Sequence, residues 1–319
     1  MSEPKSLQEA IVYFSNPDNC IDYLALRRWP HGKVVCPNCG SDSVSAFNPK
    51  RKTWKCAKHH AKREFSVKVG SLCEDSAISL DKWLTALWLI TNCKNGISSC
   101  ELAKDLLVTQ KTAWFILHRI RLAMQDENFG KLDGHVEVDE TFIGGKARNM
   151  HLDVKKRRIT GTGGHNKTVV FGALERGGRV RAAVVADRKR SALHASVKEH
   201  VAVGAALYSD ALASYDGLAS EYAHKVVDHA ERYVDGQVHT NGLENFWSLL
   251  KRGISGTYVS VEPFHLFRYL DEQVFRYNNR ATKDNPLNDA DRFDMAVRKI
   301  FGKRLTFASL TGKLCETPF

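Results

Sequence analysis

With 319 residues the chain is about twice the length of a typical domain, which predicts two or three domains and at least one sizeable buried core. Its hydrophobic fraction of 43% and charged fraction of 26% are those of a globular protein and exclude a disordered or collagen-like chain. The 47 Lys and Arg against 36 Asp and Glu leave a net charge of +11, which favours a polyanionic partner, either nucleic acid or an acidic membrane surface.

The most apolar stretch, Leu84 to Ile90, is only about two helical turns long and cannot span a bilayer. The first twenty residues lack the apolar run of a signal peptide, so the expected setting is the cytoplasm, with no membrane partner. Eight cysteines in such a chain are expected to be metal ligands or buried thiols rather than disulfides.

In chain order, residues 1–30 predict two short amphipathic helices, Leu7 to Phe14 and Ile21 to Leu26. Residues 31–75 form a small module of β-like pieces, at Lys33 to Val35, Ser43 to Ala46, Thr53 to Lys55 and Glu64 to Lys68, broken by Gly, Asn-Pro and Lys-rich turns. Residues 76–130 predict three helices, Leu80 to Thr91, Ser98 to Leu107 and Thr109 to Met124. Beyond Gly130 to Gly134 come three strands, His135 to Phe142, Thr168 to Leu174 and Val180 to Ala186. A helix from Ser191 to Val201, strands at Ala206 to Ser209 and Lys225 to Val227, and helices at Asn241 to Lys251 and Pro263 to Asn279 complete a mixed α/β core over 131–281. Residues 282–319 are a tail whose Phe293, Met295, Ile300, Phe301 and Leu305 close a small helical end. The stretch Lys146 to Lys167, with Lys155-Lys156-Arg157-Arg158 inside it, reads as an exposed basic hairpin or loop.

Cys36-Pro-Asn-Cys39-Gly40 brings two thiolates to one tetrahedral metal, and Cys56-Ala-Lys-His59-His60 offers a second half. His59 repeats the two-residue gap of the first half and is the expected fourth ligand, with His60 its rival. Four protein ligands leave no open position, so Zn²⁺ here is structural, in a zinc ribbon. Gly96 to Arg121 has the pattern of a helix-turn-helix in which Thr109 caps the second helix. That helix leaves Gln110, Lys111, Thr112, His118, Arg119 and Arg121 available to bases and phosphates, although the pattern also fits an ordinary helical hairpin.

Three acidic residues sit at element edges in the α/β core: Asp139 in a strand, Asp210 after a short strand, and Glu244 early in a helix. Carboxylates gathered from separate elements can hold two Mg²⁺ ions about 4 Å apart for phosphoryl transfer without a protein nucleophile. Lys251, seven residues on, shares the helix face of Glu244 and points an ammonium at phosphate. Rivals are Glu137, on the strand face of Asp139, Asp187 at another strand end, and Asn241, one turn before Glu244 and also placed to cap its helix.

The blocks Val138-Asp139-Glu140-Thr141-Phe142-Ile143-Gly144-Gly145-Lys146, Tyr208-Ser209-Asp210 and His239-Thr240-Asn241-Gly242-Leu243-Glu244-Asn245-Phe246-Trp247-Ser248-Leu249-Leu250-Lys251-Arg252 resemble the three catalytic blocks of bacterial insertion-sequence transposases of the DDE type, ISXO2-like group. The spacing of 34 from Asp210 to Glu244 is similar to that of the superfamily, and the resemblance runs from about residue 20 to 280. It implies an RNase H-like mixed-sheet catalytic core preceded by a zinc ribbon and a helix-turn-helix. Asp139, Asp210 and Glu244 would bind Mg²⁺ or Mn²⁺, with Asn241 the alternative third ligand, since relatives use Asn, Glu or His there. The implied activity is hydrolysis at insertion-sequence ends and strand transfer into target DNA, by a homodimer or higher oligomer on paired ends. Lys111, Arg119, Arg121, Lys155, Lys156, Arg157, Arg158 and Arg252 are the expected DNA contacts. The alternative from another class is a non-catalytic DNA-binding regulator derived from a transposase; it would have no need of the acidic set.

Overall fold

The computed structural model describes residues 3–125, 130–145, 151–153, 167–210, 212–227 and 239–312. Its elements are α1 (Leu7–Phe14), α2 (Pro17–Arg28), β1 (Trp54–Lys55), β2 (Glu64–Phe65), α3 (Leu80–Asn92), α4 (Ser99–Asp105) and α5 (Gln110–Met124). There follow β3 (His135–Ile143), β4 (Thr168–Glu175), β5 (Val180–Val185), α6 (Arg190–His200), β6 (Ala206–Asp210), β7 (Ala223–Val227), α7 (Asn241–Gly253), α8 (Leu266–Asn278), α9 (Asp289–Arg298) and α10 (Phe307–Leu310). They fall into two compact units, Met1–Met124 with Ala281–Phe319, and Gln125–Arg280.

The first unit is built around α3. Its 13 residues bury Trp83, Leu84, Leu87, Trp88 and Ile90, too many faces for a surface helix, so other helices must cover it on several sides. Local signals fix those neighbours: Asn16 caps α2 ahead of Pro17 at its first position, and an Asn288/Asp291 capping box starts α9. Phe14, Tyr23, Trp88 and Phe293 meet at ring separations of 4.9 to 5.8 Å, so a residue from the tail sits in the centre of an otherwise amino-terminal core. Ion pairs from Arg27 to Glu3 and Asp294, a bridge between Ser71 and Phe301, and Leu72 N–H on the Ile300 carbonyl sew the tail in further. Residues 281–312 are thus part of the amino-terminal unit rather than a small end of their own.

The zinc-ribbon region forms only the two-residue strands β1 and β2, with single bridges at Val44–Cys56 and Asn48–Thr53. Lys33 to Val35 forms no strand, because the chain there enters the turn in which Cys36 N–H bonds the Ser41 carbonyl.

The second unit is a three-layer α/β/α sandwich on a sheet of order β5-β4-β3-β6-β7. β5, β4 and β3 are antiparallel; β6 and β7 join parallel after the α6 crossover. Strand alternation sorts β3 between the layers: Val136 and Val138 pack with Leu193 and Val197 of α6, whereas Glu137 and Asp139 face α7. On that face Leu243, Phe246, Trp247 and Leu250 of α7, at helical spacing, meet Val170, Leu174, Leu266 and Leu270.

If the tail is core, Phe293→Ala should destabilise the amino-terminal unit by about 3–5 kcal/mol, the usual cost of emptying a buried aromatic site. Denaturant unfolding followed by Trp fluorescence measures this; a loss under about 1 kcal/mol would mean a peripheral residue.

Candidate active site and metal centre

Asp139 and Asp210 come together because β3 and β6 run side by side. The parallel register pairs His135 with Ala206 and Glu137 with Tyr208, and carried two residues further it sets Asp139 beside Asp210. Asp139 accepts the Glu140 N–H at Oδ1 (2.8 Å) and the Trp247 indole N–H at Oδ2 (2.9 Å). Asp210 Oδ1 accepts Leu212 N–H at 3.2 Å. Burial, then the charges of Glu140 and Asp210, push the Asp139 carboxyl up to about 7. Burial also raises Glu140, against a 2.9 Å bond from the Tyr215 hydroxyl, and the Tyr215 phenol is itself held well above its ordinary range by burial and that carboxylate. Three carboxylates therefore crowd the end of β6, and burial with the neighbouring charges holds those of Asp139 and Glu140 up.

Glu137, the rival on the same strand face, has another task. Its carboxylate is 1% exposed; Oε1 accepts Arg176 Nε at 2.9 Å and Oε2 accepts Leu243 N–H at 3.1 Å in the first turn of α7. It satisfies a helix-end donor from a neighbouring strand, with the favourable end of the helix dipole. Gly242 makes the approach possible, since a Cβ there would lie 2.8 Å from Glu137 Oε2 and 2.4 Å from Leu174 Cδ2. Asn241 is the first residue of α7 and does not cap it; the cap position is Thr240, which makes no side-chain cap bond. The capping role expected for Asn241 is filled by Glu137.

Glu244 and Lys251 are exposed on α7 three residues before and four after Trp247, so the three form one helical stripe pinned beside Asp139 by the indole bond. Asn241 and Arg252 are exposed on the same helix. Asp187, half-buried just after β5, accepts the Lys189 N–H. Trp247, Tyr215 and Arg176 were not singled out from the sequence. The spacing of Trp247 from Glu244 was a usable signal, but Tyr215 and Arg176 depend on long-range pairing that no local pattern carries.

In the first unit Cys36, Cys39, Cys56 and His60 gather with their ligand atoms within 4.8 Å of one another. Cys39 Sγ lies 3.6 Å from Cys56 Sγ, and Cys36 Sγ lies 3.5 Å from His60 Nε2. These match the edges of roughly 3.5 to 3.8 Å that tetrahedral zinc with ordinary Zn–S and Zn–N bonds requires, so the cluster fits structural zinc. His59, the expected ligand, is exposed and outside the cluster. Cys56 is tied to Arg63 through its N–H, so the chain must turn back between them, and that turn carries His60 rather than His59 to the knuckle. Gly40, at a φ of 70°, takes the left-handed conformation that closes the knuckle.

The pattern read as a helix-turn-helix is α4 and α5 joined by a tight turn, with Thr109 Oγ1 accepting Thr112 N–H at 3.2 Å as expected of a cap. Gln110 and Lys111 are exposed, and Lys111 lies over the Phe307 ring. Arg119 and Arg121 are not open to DNA. Arg119, 7% exposed, bonds the Leu305 and Glu74 carbonyls, and Arg121, 1% exposed, and His118 lie on the buried face of α5. From Ile116 to Arg121 α5 is buried nearly all round, so positions on different sides of the helix are enclosed alike. Lys155, Lys156, Arg157 and Arg158 lie outside the described residues.

A mixed α/β core in which Asp139, midway along β3, stands beside Asp210 at the end of β6, and a separate Cys₃His ribbon, are the features to be placed among known proteins. Residues 131–278 match the ISXO2-like transposase domain and residues 15–60 the transposase zinc-ribbon domain, a match that closes on His60. The chain is 28% identical over 255 residues to an uncharacterized protein in transposable element ISH50 of Halobacterium salinarum, covering 77% of this chain and 85% of that one. It is 29% identical over 106 residues to an uncharacterized transposase-like protein of Haemophilus influenzae, covering 33% and 85% respectively. The chain thus carries an ISXO2-like transposase domain and, ahead of it, a transposase zinc-ribbon domain. Among the described residues no helix is long and apolar enough to cross a membrane.

Purified without chelators, the protein should hold about one Zn²⁺ per chain. His60→Ala should release it and His59→Ala should not, by atomic emission on gel-filtered protein. The reverse order would restore His59 as the ligand.

Proposed function

We propose that this protein is a DNA transposase that binds the ends of its insertion sequence, hydrolyses a phosphodiester at each end to free a 3′-OH, and transfers that end into target DNA. The observation that carries the reading is the juxtaposition of Asp139 and Asp210, on neighbouring parallel strands within the transposase domain, at a strand end already crowded by Glu140. Hard carboxylate oxygens repelling one another suit Mg²⁺ or Mn²⁺. On this reading the sheet, three antiparallel strands followed by two parallel ones, is an RNase H-like core.

Asp139 and Asp210 would hold the metal, with Glu244 the third ligand and Asn241 its alternative. When bound, divalent cations supply activation of the attacking oxygen and neutralisation of the leaving one. The chain's own residues do the rest. Trp247 and the Glu140 N–H fix the Asp139 carboxylate, and Lys251, on the Glu244 stripe, offers an ammonium to substrate phosphate. Arg252 and the segment Lys155 to Arg158 would track the DNA backbone. α4 and α5 would act as a helix-turn-helix through the exposed start of α5 at Gln110 and Lys111, and the zinc ribbon would bind beside it. The working form would be a homodimer or higher oligomer on paired ends, acting in the cytoplasm.

Incubated with Mg²⁺, the protein should nick end-labelled element-end DNA. Asp139→Asn, Asp210→Asn and Glu244→Gln should abolish nicking while retaining DNA binding, because each removes a ligand charge and little volume. Cleavage by Glu244→Gln together with a folded but inactive Asn241→Ala would transfer the third position to Asn241, and an inactive parent that still binds ends would make the protein a regulator. A second expectation follows from Asp139. A carboxyl raised from 3.8 to about 7 favours the folded state most below its unfolded value and loses that contribution as pH rises to the folded one, so the cation-free protein should weaken from about pH 4 to about pH 7 and level off above. A cation must displace that proton, so the thermal shift on adding Mg²⁺ should be larger at pH 8 than at pH 6. An equal shift at both would remove Asp139 from the metal site.

A further inference from the structure

We infer that Trp247 is the positioning residue of the acidic site: its indole N–H sets the orientation of the Asp139 carboxylate, and a glycine in the facing strand exists to seat it. The inference rests on the metal-binding reading of Asp139 given above.

Trp247 is 4% exposed, so its polar atom must find a partner inside the unit, and the partner is Asp139 Oδ2 at 2.9 Å. Burial of the ring alone would be satisfied by Phe or Leu. A donor aimed at one oxygen of a site carboxylate is a more specific arrangement, since with Oδ1 held by the Glu140 N–H it leaves the side chain one orientation.

The facing strand is shaped for this ring. Asp139 pairs with Gly172 across β3 and β4, and a Cβ on Gly172 would fall 2.5 Å from Trp247 Cζ2 and 2.7 Å from Cη2. Gly172 lies in the middle of an otherwise apolar strand, Thr-Val-Val-Phe-Gly-Ala-Leu-Glu, where glycine costs stability and any side chain would push the indole off the sheet.

A second contact fixes the same helix. Glu137 and Asp139 are two apart on one strand face; Leu243 and Trp247 are four apart on one helix face, and each carboxylate takes one donor, Glu137 from the backbone and Asp139 from the indole. Two points determine both translation and rotation of α7 on the sheet. Glu244, next to Leu243 and one turn from Trp247, therefore has its backbone placed by the residue that orients Asp139.

The test measures Mn²⁺ binding by electron paramagnetic resonance on full-length protein, without DNA, alongside thermal unfolding. Trp247→Phe keeps an aromatic ring and removes the donor. Incorporation of 3-benzothienylalanine at 247, sulfur in place of N–H, keeps the shape as well and stays folded where Phe does not. Both should weaken Mn²⁺ at least about 10-fold, the usual cost of losing the group that orients a metal ligand. Gly172→Ala, which retains the indole and crowds it, should also weaken Mn²⁺. A purely packing role predicts that the benzothienyl protein binds Mn²⁺ like the parent, and that result overturns the inference. Asp139→Asn is the control: if it binds Mn²⁺ like the parent, the metal-site reading has failed and the positioning role with it; if it does not bind while the benzothienyl protein is normal, the positioning role alone has failed.

Discussion

Carboxylates do not willingly share a buried strand, and the architecture of the second unit follows from how β3 carries three of them. Glu137, Asp139 and Glu140 lie within four residues on a strand whose Val136 and Val138 are fully buried, and Asp210 joins them from β6. Each has a different donor: Arg176 in the turn after β4 and the first turn of α7 for Glu137, the Trp247 indole for Asp139, the Tyr215 hydroxyl for Glu140. An unpaired buried carboxylate costs several kcal/mol, so each donor anchors its element to β3. Arg176 anchors further, stacking over Tyr208 at 4.1 Å and bonding the His239 carbonyl. Among the described residues Glu137 is in an ion pair, with Arg176. Asp139 keeps neutral donors and carboxylate neighbours, which is why its proton affinity is raised and why a cation would relieve it.

Much of this was legible in the sequence because its determinants are local. Alternation in His135 to Phe142, the apolar spacing of α7 and the Thr109 cap each operate within one or two turns, and the elements they specify lie within a residue or two of the expected bounds. The Cys-x-x-Cys half of the ribbon was legible for the same reason. Errors arose where the deciding interaction comes from far along the chain. His60 outcompetes His59 through a turn closed by Arg63, so repeating the first half's spacing misled. Asn241 loses the capping role to a carboxylate about a hundred residues earlier.

Arg119 and Arg121 illustrate the same limit from the opposite side. Both stand in the second helix of the helix-turn-helix pattern, the one expected to meet bases and phosphates. The returning segment 281–312 encloses Arg119, which is bonded to the Leu305 carbonyl while the neighbouring Phe115 ring meets Phe307. Guanidinium groups tolerate this because a planar, weakly hydrated fork can be satisfied by backbone carbonyls and aromatic faces, and Arg119 has both, with its charge disfavoured by burial. Basic composition therefore overstates the surface available to a polyanion.

The return of the chain also bears on how the two units divide the work. The α/β unit occupies residues 125–280, between α5 and α9, both of which belong to the first unit. An inserted domain is tethered at two points, and the closure entropy of the host unit then depends on its insert holding its own ends together. Here the ends are secured inside the insert: Arg268 of α8 bonds Gln125, and Asn278 bonds both the N–H and the carbonyl of Val180 on the edge strand. α8 thus fastens the exit of the insert to its sheet and to its entry.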